Sequence, residues 1–132
     1  MNAPESFSTG IAHHIGRYSD AVRVPAGHEL IFLSGTPGLR ADGSLPEDFS
    51  EDAAQAWRIV SDALAQAGAT LTDIVSARQW LTSADDLPTY AAVRAETIHH
   101  EPTFMLGVVS GLIWPNLRVE IEVTAVRPAP NT

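Results

Sequence analysis

The stretch Thr103–Val109, "TFMLGVV", places the strongest constraint on the fold, because it carries no charge and only one hydroxyl. An apolar run of this length after Pro102 predicts a buried strand. The segment "RVEIEVTAV" (118–126) then alternates polar and aliphatic residues, which predicts a strand with one buried face. A strand as apolar as the first cannot face water. We therefore expect helices on one face of its sheet and a second copy of the chain against the other face or an edge.

Two segments have the periodicity of helices. In the first, apolar residues recur on one helical face at Ala53, Trp57, Val60 and Leu64. We expect Ser50 to cap this helix and Gly68 to end it. The second helix is predicted to begin at residues 85–86 and to end at Glu101–Pro102, since the residue before a proline disfavours helical geometry.

Three further segments predict strands, at residues 22–24, 29–34 and 73–82. The resulting order, β-β-α-β-α-β-β, indicates an α+β fold with a mixed sheet and two helices on one of its faces. We expect one domain over residues 1–132, with flexible ends at 1–13 and 127–132.

Composition excludes several kinds of site. The chain has no cysteine, which rules out disulfides, zinc–thiolate centres and cysteine nucleophiles. All eight basic residues are arginine, so a lysine Schiff base is excluded. A net charge of −8 argues against nucleic acid and anionic membranes as partners. No apolar run approaches the roughly 18 residues of a membrane span, and the first residues do not have the pattern of a signal peptide. We therefore expect a cytoplasmic protein.

Four segments resemble motifs of the Rid (YjgF) family of reactive-intermediate deaminases: "IGRYSDAVRV" (15–24), "LIFLSGTPG" (30–38), "GATLTDIVSARQWLT" (68–82) and "VEIEVTAV" (119–126). They follow the family order over residues 15–127. The resemblance implies a chorismate-mutase-like fold and a homotrimer. It also implies clefts between subunits in which enamines or imines are hydrolysed to ketones and ammonia, without a cofactor.

The chain departs from the family pattern where the substrate is held. Family deaminases carry "P-A-R-S" at the start of the strand that corresponds to residues 103–109, and the arginine binds the substrate carboxylate. Aligned on Pro102, that position is Phe104, its neighbour on the same face is Leu106, and a cleft asparagine is replaced by Ala91. We therefore expect Phe104, Leu106 and Trp114 to form an apolar substrate-binding wall, and the substrate to be less anionic than a simple 2-imino acid.

Glu120 is the leading candidate for a catalytic residue. It matches the family glutamate that lies near the attacking water. A carboxylate beside Phe104 would be partly desolvated and suited to proton transfer. The alternative is that Glu120 and Glu122 both form surface ion pairs with Arg118 or Arg78. For Glu122 we favour this structural role.

Three further positions match the family cleft. Tyr18 corresponds to its tyrosine and would orient substrate or water, although a tyrosine there could also serve packing alone. Ser34 and Gly35 would bind ligand through a hydroxyl and backbone groups, although a Ser-Gly pair at the end of a strand is more often simply a turn.

Arginines elsewhere could supply the charge that Phe104 lacks. Arg17 lies beside Tyr18, and guanidinium groups suit carboxylates. We nevertheless favour a solvated surface role for Arg17. Arg78 and Arg94 are candidates of the same standing.

No metal site is expected. Neighbouring residues point apart on a strand and diverge on a helix, so His13–His14 and His99–His100 are poor chelating pairs. The leading functional interpretation is a hydrolase or deaminase of enamines, imines or similar intermediates. The alternatives are a non-catalytic homologue that binds small ligands or stabilises a partner, and a pathway-specific tautomerase, cyclase or hydrolase in the same cleft.

Overall fold

The computed structural model describes residues 3–130. Its elements are, in order, β1 (Glu5–Phe7), α1 (Ile11–Ile15), β2 (Ala21–Arg23), β3 (His28–Phe32), α2 (Phe49–Gln66), β4 (Ile74–Leu81), α3 (Leu87–Thr97), β5 (Thr103–Val108) and β6 (Val119–Pro128). Short 3-10 turns precede β4 and α3. The predicted α+β order is confirmed, with an additional strand and helix at its start.

The main sheet has four strands in the order β3-β6-β4-β5. β4 and β5 run parallel because α3 carries the chain back between them, and both neighbours of β6 are antiparallel to it. The sheet is therefore mixed, as predicted. β1 and β2 form a separate antiparallel pair.

The sequence patterns did not predict β1 and α1, which begin within residues 1–13, the segment expected to be a flexible end. Asp20 holds this segment in place, because its carboxylate accepts hydrogen bonds from the backbone N–H groups of Thr9 (2.7 Å) and Ala12 (3.2 Å). Elements this short depend on contacts with distant residues, and a local pattern does not contain those contacts. At the other end, β6 continues to Pro128, so residues 127–128 are also part of a strand. Residues 1–2 and 131–132 lie outside the described residues.

Helix α2 buries the predicted face, with Ala53, Trp57, Val60 and Leu64 at most 2% exposed. Its cap is Asp48, whose side chain accepts a hydrogen bond from the backbone N–H of Glu51, so the prediction of Ser50 as the cap was wrong. The helix begins earlier because Phe49 is buried at its first turn, and the Ser50 hydroxyl donates to Asp48 instead. Gly68 follows the helix with a φ of +79°, a value that favours glycine, as expected for a residue that ends a helix.

Helix α3 ends at Thr97, earlier than the predicted Glu101–Pro102. Ile98 adopts an extended backbone conformation and is 2% exposed. Because this side chain is buried, the backbone leaves helical geometry at Ile98, four residues before Pro102. The segment that follows leads directly into β5.

The two faces of the main sheet differ in their surroundings. On β6, the odd-numbered residues from Val119 to Ala125 are buried beneath the helices, while Glu120, Glu122 and Thr124 point the other way and are partly exposed. We call this second side the open face. Phe32, which pairs with Thr124, is 72% exposed there. The structure therefore leaves large apolar side chains uncovered within the single chain.

A buried ion pair joins the helical layer to the start of β6. Arg118 donates to the Asp52 carboxylate (3.0 Å), and also to the backbone carbonyls of Glu47 (3.0 Å) and Pro46 (2.7 Å). Burial raises the pKa of Asp52, and the nearby Arg118 opposes that shift. Gly38 packs directly on Asp52, and a β-carbon at that position would collide with its carboxylate and backbone. These contacts hold the loop before α2 against the sheet.

No helix among residues 3–130 is long and apolar enough to cross a membrane.

Candidate functional site

Glu120 lies on the open face, next to the end of β3. The segment after β3 runs beside β6, where Thr36 and Ile121 exchange two backbone hydrogen bonds of 2.8 and 3.1 Å. This pairing brings Gly35 under Glu120, since a β-carbon on Gly35 would lie 2.7 Å from the Glu120 Oε1 atom. Ser34, the preceding residue, is exposed. The structure thus places Gly35 against Glu120, which lies 85 residues later in the sequence, and Ser34 is the residue next to Gly35.

Glu120 and Glu122 share the open face but differ in their partners. Arg78 donates to the Glu122 carboxylate at 2.9 Å across the β4–β6 pair. Glu120 pairs with Trp80 in the same register, and no arginine or histidine nitrogen among residues 3–130 lies within 4.0 Å of its carboxylate. The surface-pair interpretation therefore holds for Glu122. Glu120 keeps a carboxylate that is free to contact a ligand.

A second group of predicted residues lies around Phe104, on the helical side of the sheet. Tyr18 is held beside β5 because the backbone N–H of Ser19 donates to the Pro102 carbonyl at 3.0 Å. The Tyr18 and Phe104 rings are 5.9 Å apart between centroids and tilted by 48°. The guanidinium carbon of Arg94 lies 4.4 Å from the centroid of Phe104, on the face of its ring. The position that lacks the family arginine therefore has another arginine stacked on it.

Glu120 and Phe104 do not share a cleft within one chain, and the expected cleft between subunits stays a prediction. Phe104 pairs with Ala77 of β4, and Glu120 pairs with Trp80. Because side chains alternate along a strand, residues 77 and 80 lie on opposite faces, and their partners do as well. A site that uses both Glu120 and Phe104 needs a second copy of the chain.

The expected apolar wall is also not formed within one protomer. Leu106 packs against the hydrophobic core beside Gln79. Trp114 lies in the loop between β5 and β6 and is half-exposed, and its carbonyl accepts a hydrogen bond from the Leu117 N–H. Of the three residues assigned to the wall, Phe104 lies beside another predicted site residue, Tyr18.

A polar network behind Phe104 was not predicted. Gln79 is fully buried, and its Oε1 atom accepts hydrogen bonds from the Tyr90 hydroxyl (2.5 Å) and from Arg94 Nη1 (3.2 Å). Burial lowers the pKa of Arg94 and raises that of Tyr90. One signal was available, since Gln79 falls on the same face of the predicted strand as Ala77 and Leu81 and is therefore a polar residue at a core position.

A cavity of about 210 Å³ adjoins this network. It is lined by Ile15, Gly16, Arg17, Ala91, Arg94, Ala95, Ile98 and Phe104. Arg17 donates through Nη2 to the Ile98 carbonyl at 3.0 Å. It is therefore fixed at the rim of the cavity by a hydrogen bond.

A larger cavity of about 480 Å³ lies near the β1–β2 pair, away from Glu120 and Phe104. Its two histidines are both engaged by backbone carbonyls, His28 by Pro25 and His100 by Ile74, each at 2.8 Å. Among residues 3–130, no three His, Asp or Glu side chains are grouped closely enough to hold a metal ion. We therefore assign the candidate site to the two groups around Glu120 and Phe104.

Known proteins resemble this chain over most of its length. Residues 10–127 match the family model described as Endoribonuclease L-PSP. The chain is 29% identical over 113 residues to the RutC family protein YjgH of Escherichia coli K12, covering 85% of this chain and 84% of that protein.

Solved structures of proteins from the same family superpose on this chain. The Rid-family protein YyfB of Yersinia pestis superposes with a TM-score of 0.81 at 25% identity, covering 94% of this chain and 98% of that one. Rv2704 of Mycobacterium tuberculosis, a member of the YjgF/YER057c/UK114 family, gives a TM-score of 0.65 at 31% identity, with coverage of 93% and 98%. In both cases the similarity extends over more than nine-tenths of the chain.

Proposed function

This chain belongs to the Rid (YjgF) family, and on that premise we propose that it is a hydrolase or deaminase of an enamine, imine or similarly reactive intermediate. The observation that carries the proposal is the position of Glu120. Its carboxylate lies against Gly35 on the open face, and no cation among the described residues neutralises it. A carboxylate in this state can accept a proton from water and return it.

We propose that the complete site forms between subunits of a homotrimer. Glu120, Ser34 and Gly35 would come from one subunit, and Tyr18 and Phe104 from its neighbour. Two observations support this arrangement: the two groups lie on opposite faces of the sheet, and the open face exposes Leu30, Phe32 and Met105. Association would remove these apolar side chains from water.

In the proposed reaction, an enamine first becomes its imine by proton transfer. Glu120 then takes a proton from a water molecule as the oxygen bonds to the imine carbon. Glu120 returns that proton to the nitrogen, which gives a carbinolamine. The carbinolamine hydroxyl then passes its proton to the nitrogen by way of Glu120 as the carbon–nitrogen bond breaks, which releases ammonia and leaves a ketone. Tyr18 would orient water or substrate through its hydroxyl. Water is the only co-reactant, and the chain's own residues carry the protons.

The family model's description names an endoribonuclease, and we do not extend that activity to this chain. RNA binding depends mainly on basic residues that neutralise phosphates. This chain has a net charge of −8 and no lysine. The charge therefore favours a small-molecule substrate.

The proposal is tested by Glu120→Gln, with Glu122→Gln as the matched control on the same strand and face. Imines with a carboxylate would be generated by an amino-acid oxidase and imines without one by an amine oxidase, and ketone formation measured above the uncatalysed rate. Because Phe104 replaces the family arginine, the imines without a carboxylate are the expected substrates. We expect Glu120→Gln to lower kcat/KM by about 10²- to 10⁴-fold, since it removes the proton acceptor. Glu122→Gln, which removes only the surface pair with Arg78, should leave the rate nearly unchanged.

Equal turnover by Glu120→Gln and the unmodified protein would contradict the mechanism. Failure of the unmodified protein to accelerate hydrolysis of any imine in a series from small to branched side chains would instead favour the non-catalytic ligand-binding alternative.

A further inference from the structure

The cavity beside α3 combines two arginines with apolar side chains and has no acidic residue in its lining. Among residues 3–130, no carboxylate oxygen lies within 4.0 Å of a nitrogen of Arg94 or Arg17. Proteins seldom leave a partly buried cation without a counter-charge, because its desolvation is then uncompensated. The cavity therefore has excess positive charge in a protein whose net charge is strongly negative.

Neutral groups hold the Arg94 guanidinium in place. Nη1 donates to Gln79 Oε1, and the Gln79 amide is itself oriented by its donation to the Met105 carbonyl at 3.2 Å. The rings of Phe104 and Tyr90 lie 4.4 and 5.8 Å from the guanidinium carbon. These contacts fix the direction of the group without cancelling its charge. Burial also lowers the pKa of Arg94, as expected for a cation that lacks a counter-charge.

The other guanidinium nitrogen, Nη2, faces Gly16. A β-carbon on Gly16 would lie 3.8 Å from it, so the missing side chain leaves room at this end of the cavity. Nη2 has no hydrogen-bond partner among the described residues, whereas Nη1 is engaged by Gln79. Arg17 likewise has one donor engaged by the Ile98 carbonyl, and a guanidinium carries five N–H donors in all. Both arginines thus keep donors for a ligand.

We infer that this cavity binds the carboxylate of a small monoanionic ligand, with Arg94 as the principal anchor and Arg17 as a second donor. The volume of about 210 Å³ equals that of about seven water molecules at about 30 Å³ each, which suits a short-chain acid. Ile15, Ala91, Ala95 and Ile98 supply an apolar environment for its carbon chain. The surrounding negative charge disfavours a phosphate dianion relative to a monocarboxylate.

This inference changes an expectation drawn from the sequence. With Phe104 in place of the family arginine, the sequence predicts a substrate region without positive charge and therefore a weakly anionic substrate. Arg94, from a different element, stacks on that same phenylalanine. The identification of the bound anion with the substrate rests on the proposed function, whereas the binding of a small carboxylate does not.

The experiment is calorimetric titration of the 132-residue chain with butyrate, with the uncharged analogue butyramide and with inorganic phosphate. Arg94→Met is the test variant, and Arg58→Met, on the exposed side of α2, is its matched control. We expect butyrate to bind at least about tenfold more tightly than butyramide, as a charge-assisted pair implies. Arg94→Met should abolish that preference, and Arg58→Met should retain it.

A second variant does not touch the anchor. Ala91 is exposed and lines the cavity, so Ala91→Glu should fold normally and place a carboxylate where it can pair with Arg94. We expect it to lose butyrate binding as Arg94→Met does. Thermal unfolding of each variant identifies any loss of binding that is due to misfolding, and Ala91→Glu then decides the outcome.

Four results would overturn the inference: no detectable butyrate binding, equal affinity for butyramide, tighter binding of phosphate than of butyrate, or unchanged butyrate affinity in both Arg94→Met and Ala91→Glu. Glu120→Gln separates this inference from the proposed function. It should retain butyrate binding while it loses turnover. If turnover were unchanged in Glu120→Gln while butyrate binding still required Arg94, the mechanism would fail and the anion site would stand.

Discussion

Two arginine–carboxylate pairs, one on each side of the sheet, have nearly the same geometry and very different surroundings. Arg118 and Asp52 approach to 2.9 Å beneath the helices, where the Asp52 side chain is 1% exposed. Arg78 and Glu122 also approach to 2.9 Å, but on the open face, where the Glu122 side chain is 38% exposed. The comparison indicates that burial, more than distance, decides what such a pair contributes to stability.

The same contrast applies to the unpaired charges. On the open face, Glu120 has no cationic partner among residues 3–130, and water can solvate it until a ligand or another subunit arrives. On the helical side, Arg94 is partly buried and has no anionic partner in the part of the chain that the structure describes, so neutral groups surround its charge. The Glu120 carboxylate on one face and the Arg94 guanidinium on the other are therefore both available for binding.

The largest effect is expected from Arg118→Met. It leaves the buried Asp52 carboxylate without its partner and frees the carbonyls of Pro46 and Glu47. Removing one member of a buried pair costs about 3–5 kcal/mol. Urea unfolding at neutral pH, followed by circular dichroism, measures this change in the free energy of unfolding. If Arg118→Met lowered the free energy of unfolding no more than the loss of an exposed pair does, the burial of Asp52 would not increase the contribution of this pair to stability.

Asp52→Asn should cost less than Arg118→Met at pH 7, because it removes the carboxylate that burial disfavours. Burial raises the pKa of Asp52 above 3.8, so over the range between the two values the folded protein binds more protons than the unfolded one. The stability that Asp52 contributes therefore falls as the pH rises through its folded pKa. The difference in unfolding free energy between the unmodified protein and Asp52→Asn should be smaller at pH 7 than at pH 4.5. An increase with pH would mean that Arg118 outweighs desolvation.

Arg78→Met should have the smallest effect, at most about 1 kcal/mol, because water screens the pair with Glu122. The same urea unfolding applies, repeated at high salt, where the difference should shrink further. A loss of unfolding free energy greater than about 2 kcal/mol would contradict the expected difference between the exposed pair and the buried pair. It would indicate that another copy of the chain covers Arg78 in solution.

Periodicity predicted what lies within a single element. Ala53, Trp57, Val60 and Leu64 share the buried side of α2, and the alternation from Val119 separates core residues from Glu120. Local rules failed where a distant contact decided the outcome. Burial of Phe49 moved the start of α2, and burial of Ile98 moved the end of α3.

The sequence by itself determined the class of fold, the family and the candidate residues, because spacing and motif are properties of the chain alone. Only the tertiary structure decided which of those residues meet. Strand register placed Glu120 over Gly35 and put Phe104 on the opposite face, and helix packing brought Arg94 onto Phe104. A sequence pattern shows which residues lie on the same face of their own strand or helix. The pairing between strands decides which residues of different strands lie next to each other on one face of the sheet.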